Sequence, residues 1–163
     1  MKAIKIIGEI NKDSSSTFCD QILECEDNEI DIIINSEWGD LNQCFAMIDI
    51  ALASKKRIKT IWIGDLHSCW FLLFLLWDER IITNNTSILC HQFSRGNYGK
   101  YNELLAQNAE VENTWERMTR YIASRTWLKN KVIRETLLPT HDVWLNSDQA
   151  KELNIATNVL SFY

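Results

Sequence analysis

Proline occurs once in the 163 residues, as Pro139, and no Pro/Gly/Ser-rich or low-complexity stretch interrupts the chain, so no linker, fibrous repeat or disordered tract is expected. Clustered positive charge is equally scarce. The longest basic run is Lys55-Lys56-Arg57 and the formal net charge is −5, whereas phosphate binding needs many cations on one face. Nucleic acid is therefore excluded as the main partner. The five cysteines, Cys19, Cys25, Cys44, Cys69 and Cys90, are odd in number and contain no C-x-x-C pair, which points away from a zinc site or a disulfide framework and toward reduced thiols in a cytoplasm. No metal or cofactor is implied. The longest apolar run, residues 69–77, is about half of the ~20 residues that a membrane-crossing helix needs, so no membrane partner is expected. The amino terminus lacks the apolar stretch and cleavage site of a signal peptide.

What remains is a length suited to one domain over residues 1–163, with 46% hydrophobic and 24% charged residues. Strand-like segments at 3–7, 30–34, 58–63, 81–83, 87–91 and 158–162 alternate with helical patterns, which makes the expected fold class α/β. The helices are expected from the Ser14-Ser15-Ser16-Thr17 cap to about Cys25, over 41–54, over the apolar run 69–77, over 101–124 and over 128–137 ahead of Pro139. Ser147 is expected to cap a last short one, and Gly64 to close the third strand.

Three residues are candidates for chemistry. Ser68 falls where a strand hands over to an apolar helix, a place that puts a hydroxyl near orphan backbone N–H groups, although serine is also a common helix cap. His91 ends a strand, where an imidazole can reach a neighbouring loop as a general base, and a surface or satisfied core histidine is the plainer alternative. Asp142 precedes the apolar Val143-Trp144-Leu145, and most aspartates so placed are turn residues. His67 and His141 carry the same ambiguity as His91.

Four blocks together resemble the proteolytic subunit of Clp protease and the related Clp-like head-maturation proteases of phages. Ile34-Asn35-Ser36-Glu37-Trp38-Gly39-Asp40 is similar to the family's I-N-S-P-G-G turn, and Ile63-Gly64-Asp65-Leu66-His67-Ser68-Cys69-Trp70-Phe71-Leu72-Leu73 to its nucleophile segment. Ile88-Leu89-Cys90-His91-Gln92 resembles the M-I-H-Q strand, and Asp142-Val143-Trp144-Leu145-Asn146-Ser147-Asp148-Gln149-Ala150 the D-x-F-L-S-A-x-E-A block. Order and spacing are kept over nearly the whole chain. The resemblance implies a Clp/crotonase-type fold of stacked β-β-α units with a long protruding helix at 101–124. It also implies a serine endopeptidase with Ser68 as nucleophile, His91 as base, Asp142 as acid, and the backbone N–H groups of Gly39 and Cys69 as oxyanion hole.

Further expectations come with the resemblance. A homo-oligomeric ring acting on a peptide or protein substrate is implied, with Leu104, Leu105, Val111, Trp115, Met118 and Ile122 of the long helix as interface candidates. Partners would be an ATPase unfoldase or phage capsid proteins. The family's extended segment before the first strand has no counterpart here, which makes unfoldase docking the less expected of the two and the phage-type relatives, in a host cytoplasm, the closer comparison. Departures from the pattern set their own expectations: Trp38 and Trp70 narrow the pocket, and His67 competes with His91 for Ser68. A catalytically silent structural or assembly subunit is the alternative, and an acyl-thioester enzyme of the crotonase type is a second.

Overall fold

The computed structural model describes residues 2–36, 38–77 and 79–162; Glu37, part of the first resembling block, lies outside the described residues. Its frame is a parallel sheet. Strand β1 (Lys2–Ile7) is joined through helix α1 (Lys12–Glu24) to β2 (Glu29–Ser36), and β2 through α2 (Leu41–Ala53) to β3 (Arg57–His67). Parallel neighbours require such crossovers, because a tight turn cannot return the chain to the same end of the sheet. Ile4, Ile6, Ile30, Ile32, Ile34, Ile58 and Trp62 are buried at every second position, and they meet Phe18 and Ile22 of α1 and Met47, Ile48 and Ala51 of α2 in one core. The mixed α/β expectation from strand and helix patterns is thus observed.

Strand β3 is longer than its pattern suggested. Gly64 does not end it but sits at φ +81° within it. Between the pairs Ile34–Trp62 and Ser36–Leu66 the partner strand advances two residues while β3 advances four, so the extra residues form a bulge. Bulges bend a strand and increase its twist. The bend gives β3 two sets of neighbours. Its first half pairs with β4 (Glu79–Thr83), which leads on to β7 (Asn158–Leu160), whereas its end pairs with β5 (Ile88–Cys90). Antiparallel to β5 runs β6 (Val143–Leu145), three residues too short to be read from alternation alone.

Among the helices, the apolar run after Ser68 forms only α3 (Trp70–Phe74), and turns carry the rest of it. The caps also differ from expectation. Asn11, not the serine cluster, accepts from the amides of Asp13 and Ser14, and Ser14 completes the box at the third helical position. Asn146 likewise caps α6 (Ser147–Glu152), with Ser147 as its first residue. Helix α4 (Tyr101–Thr126) is 26 residues long, and α5 (Asn130–Val132) continues into a π-helical turn, Ile133–Leu137. Met118 and Ile122 of α4 are buried in the chain's own core, which removes them from the expected interface; Leu105 is exposed and Leu104 and Val111 are half-buried. Among the described residues no helix is long and apolar enough to cross a membrane.

Candidate active site

Three strand ends converge on one edge of the sheet. Ser68 directly follows β3, His91 directly follows β5, and Asp142 directly precedes β6. The β3–β5 register pairs His67 with Leu89, and the Ser68 N–H donates to the Leu89 carbonyl at 3.4 Å. In the β5–β6 ladder the last pair is Cys90 with Val143. One step further in an antiparallel ladder sets His91 opposite Asp142.

Ser68 has φ 60°, in the left-handed region, where a side chain costs about 1 kcal/mol or more. The surrounding structure holds it there: its carbonyl accepts from the Phe71 amide at 3.1 Å as α3 begins, and Leu66 before it and Cys69 after it are buried.

Gly39 is held by a different contact. It forms a bridge with Ile10, flanked by Ile10 N–H to Trp38 carbonyl at 3.2 Å and Asp40 N–H to Ile10 carbonyl at 2.8 Å. A Cβ at this position would overlap the Ile10 side chain and lie 2.8 Å from its nitrogen, so only glycine fits. The carbonyl of Trp38 also accepts the indole N–H of Trp70 at 2.9 Å. Trp70 is fully buried, edge-on to Trp62 at 6.3 Å, and braces the loop from within the core.

A cavity of about 510 Å³ opens at this edge and brings together Gly39, Ser68, Cys69 and His91. Its apolar wall includes Phe71, Leu72, Met118, Ile122 and Leu138, and its polar groups include Arg95, Glu110 and Thr114. Asp142 is exposed and is not part of this lining. Among the described residues, the N–H groups of Gly39 and Cys69 donate to no protein acceptor, so both remain available to a ligand oxygen. The His91 Nδ1 lies 2.7 Å from the Gln92 carbonyl. A carbonyl only accepts, so Nδ1 carries the proton and Nε2 keeps the lone pair that a general base needs. Gln92 is itself anchored, its side-chain amide donating to the Leu138 carbonyl at 3.0 Å. No hydrogen bond joins Ser68 Oγ to His91, or His91 to Asp142, among the described residues.

Three expectations about the neighbours change. Trp70 points into the core and Trp38 into solvent, 66% exposed, so neither indole lines the cavity. His67 does not compete for Ser68. Its ring stands edge-on to Trp144 at 5.1 Å and is absent from the cavity wall, as the two-residue period of a strand requires for residues flanking a buried Leu66. His141 is exposed and outside the lining. Cys90 does line the cavity beside His91, but burial pushes its thiol up to about 12, which keeps it protonated and unsuited to act as a nucleophile.

The α4 contribution to the cavity was not anticipated. Glu110, Thr114, Met118 and Ile122 line it at a constant spacing of four, one stripe of a helix. That spacing was legible in the chain, but the stripe could not be assigned to its own cavity without the tertiary fold.

A family model described as Clp protease matches residues 1–162. Curated relatives include ATP-dependent Clp protease proteolytic subunit 3 of Rhizobium johnstonii, 25% identical over 166 aligned positions that cover 98% of this chain and 84% of the relative. Proteolytic subunit 2 of Treponema pallidum is 27% identical and that of Borreliella burgdorferi 28%, each covering 98% of this chain and 82% of the relative.

Proposed function

The chain belongs to the Clp protease family, and from that membership together with the cavity we propose that it is a serine endopeptidase with Ser68 as nucleophile, His91 as general base and Asp142 as the orienting acid. The observation that carries the reading is a strained Ser68 sharing one cavity with a histidine in the right tautomer and two undonated amides. In the reaction His91 Nε2 takes the Ser68 proton as Oγ attacks the scissile carbonyl, and the tetrahedral oxyanion forms between the N–H groups of Gly39 and Cys69. His91 then protonates the leaving amine, and water hydrolyses the acyl-enzyme by the same route in reverse. Asp142, one ladder step from His91, takes Nδ1–H from the Gln92 carbonyl and stabilises the imidazolium.

The reading includes a homo-oligomeric ring of chains with stacked β-β-α units, in a cytoplasmic setting. In it the exposed first half of α4, with Leu104, Leu105 and Val111, packs on a neighbour. Relatives named as subunits of an ATP-dependent protease support an ATPase partner. The phage-type variant, cleaving capsid proteins without such a partner, is the finer alternative, and the two are told apart by whether a folded substrate is degraded only with ATP and an unfoldase.

One observation favours a second reading, a catalytically silent assembly subunit: Ser68, His91 and Asp142 are not hydrogen-bonded to one another. The deciding experiment is labelling with a fluorophosphonate probe, with the oligomeric state measured in the same sample and Ser68→Ala and His91→Ala beside it. Labelling that vanishes in both variants supports the peptidase. An assembled ring that does not label establishes the silent subunit.

A further inference from the structure

Two thiols meet where the halves of the oxyanion site join. Cys44 lies in the first turn of α2, where its amide donates to the Asp40 carbonyl, one residue beyond Gly39. Cys69 directly follows Ser68 and lines the cavity. The Cys44 thiol donates to the Cys69 carbonyl at 3.2 Å, and both side chains are buried. Burial first, and then contact with Cys69, hold the Cys44 proton well above the ordinary thiol range. The remaining cysteines are placed otherwise: the Cys25 thiol faces the Asp27 carbonyl, Cys19 is half-buried on α1, and Cys90 lies across the cavity on β5.

We propose that Cys44 and Cys69 form a peroxide-responsive pair whose disulfide shuts the site, an inference that rests on the peptidase reading of Ser68. Hydrogen peroxide is small enough for the cavity, whose wall carries two thiols, Cys69 and Cys90, and of these Cys69 is the one in contact with a second cysteine. The Cys69 sulfur attacks one peroxide oxygen, the O–O bond breaks, and the departing hydroxide leaves as water with the Cys69 proton, giving a sulfenic acid. The Cys44 sulfur then displaces the sulfenic oxygen. An S–S bond forms, the S–O bond breaks, and the oxygen leaves as a second water with the Cys44 proton. Two thiols are oxidised and one peroxide is reduced to two waters. Burial keeps Cys44 protonated, so it is not the thiol that peroxide oxidises first; in the second step its position against Cys69 supplies a high effective concentration that offsets its small thiolate fraction.

The geometric consequence follows from where the two residues are attached. A disulfide needs its Cβ atoms about 3.8 Å apart and its torsion near a right angle. Cys44 Sγ must therefore leave the Cys69 carbonyl, and drawing the two sulfurs into a covalent bond pulls Cys69, and with it the amide that follows Ser68, toward α2. That amide is one of the two oxyanion donors. A second copy of the same effect acts through α2 on the Asp40 and Gly39 loop.

The test treats the full chain with hydrogen peroxide and reads three things: intact mass, disulfide-mapped peptides, and the fluorophosphonate labelling rate before treatment, after it, and after dithiothreitol. The expected result is a loss of about two mass units in a Cys44–Cys69 peptide. Labelling should fall by about a hundredfold, the scale of one lost oxyanion donor, and return on reduction. In Cys44→Ala no cross-link forms and the labelling lost to peroxide is not restored by dithiothreitol, because Cys69 oxidises past the sulfenic stage. The inference is overturned if a peroxide dose that oxidises the half-buried Cys19 leaves Cys44 and Cys69 as free thiols, or if cross-linked protein labels at the untreated rate. The wild-type mapping stands even if Cys44→Ala does not fold. Untreated protein that never labels removes the peptidase reading instead, while the mass measurement still decides whether the pair closes.

Discussion

The two sides of the cavity are built differently. On the side of the proposed nucleophile, Ser68 and Gly39 sit on elements fused to the core: Gly39 is locked against Ile10, the Trp38 carbonyl is pinned by a fully buried Trp70, and Ser68 is held at φ 60° between buried neighbours. On the side of the proposed base and acid, His91 and Asp142 hang from strands of three residues each, with His91 bonded to its own chain and Asp142 exposed. Local stability follows contact density, so the first side is preorganised and the second is free to rearrange. The part proposed to bind the oxyanion is made once, by folding. On the proposed reading, the part that moves the proton would be completed later, by substrate or by assembly through α4, whose residues Glu110 to Ile122 form the opposite cavity wall.

The largest effect separates chemistry from binding. Ser68→Ala should abolish probe labelling and lower kcat by about five to six orders of magnitude, measured with a fluorogenic peptide. Because alanine at φ 60° carries the same strain as serine, the thermal midpoint should change little. A wild-type chain with the variant's residual rate would mean that the preorganised side has nothing to serve.

Next in size, Asp142→Asn tests whether the looser side closes at all. If Asp142 takes over Nδ1–H during turnover, kcat should fall by about three to four orders of magnitude with folding unaffected, since the side chain is exposed. A loss below about tenfold would show that the Gln92 carbonyl alone orients His91, and the comparison would sharpen into a dyad on a rigid oxyanion site. Gly39→Ala comes third and strikes the rigid side. The added methyl overlaps Ile10, so the loop must shift, and loss of one oxyanion donor predicts a kcat decrease of about two to three orders of magnitude with KM nearly unchanged. Equal tolerance of alanine and glycine there would contradict the preorganisation.

The same contrast explains what could be read from the chain before its fold. Alternating isoleucines in β1 and β2 announce a half-buried strand directly, because their period is local. Gly64 was misleading for a physical reason. A glycine signals backbone freedom, but whether that freedom makes a turn or a bulge is decided by the neighbouring strand, here by the shifted register with β2. The apolar run after Ser68 signals burial without a period, so it gave no measure of helix length, and only Trp70–Phe74 is helical. Met118 and Ile122 looked like an oligomer surface because a stripe of apolar residues does not say whose core it fills. The residues of the candidate site were singled out only through four blocks in fixed order, whereas the exposed position of Asp142 and the Gln92 contact of His91 depend on a three-residue ladder with almost no local signal.

The smallest effect probes the brace that makes one side rigid. Trp70→Phe retains an aromatic ring against Trp62 but removes the indole N–H that reaches the Trp38 carbonyl. Losing a buried hydrogen bond and part of the ring should cost about 1–3 kcal/mol of stability, read as a lowered denaturant midpoint. The informative quantity is the rate at a temperature where the variant is still folded. If the brace serves only stability, kcat stays within about twofold; if it holds Gly39 in register for the oxyanion, kcat falls by about tenfold while KM does not move. The second outcome is the one expected, because the accepting carbonyl belongs to the residue just before Gly39, and a loop released there displaces the donor before it disturbs anything the substrate binds.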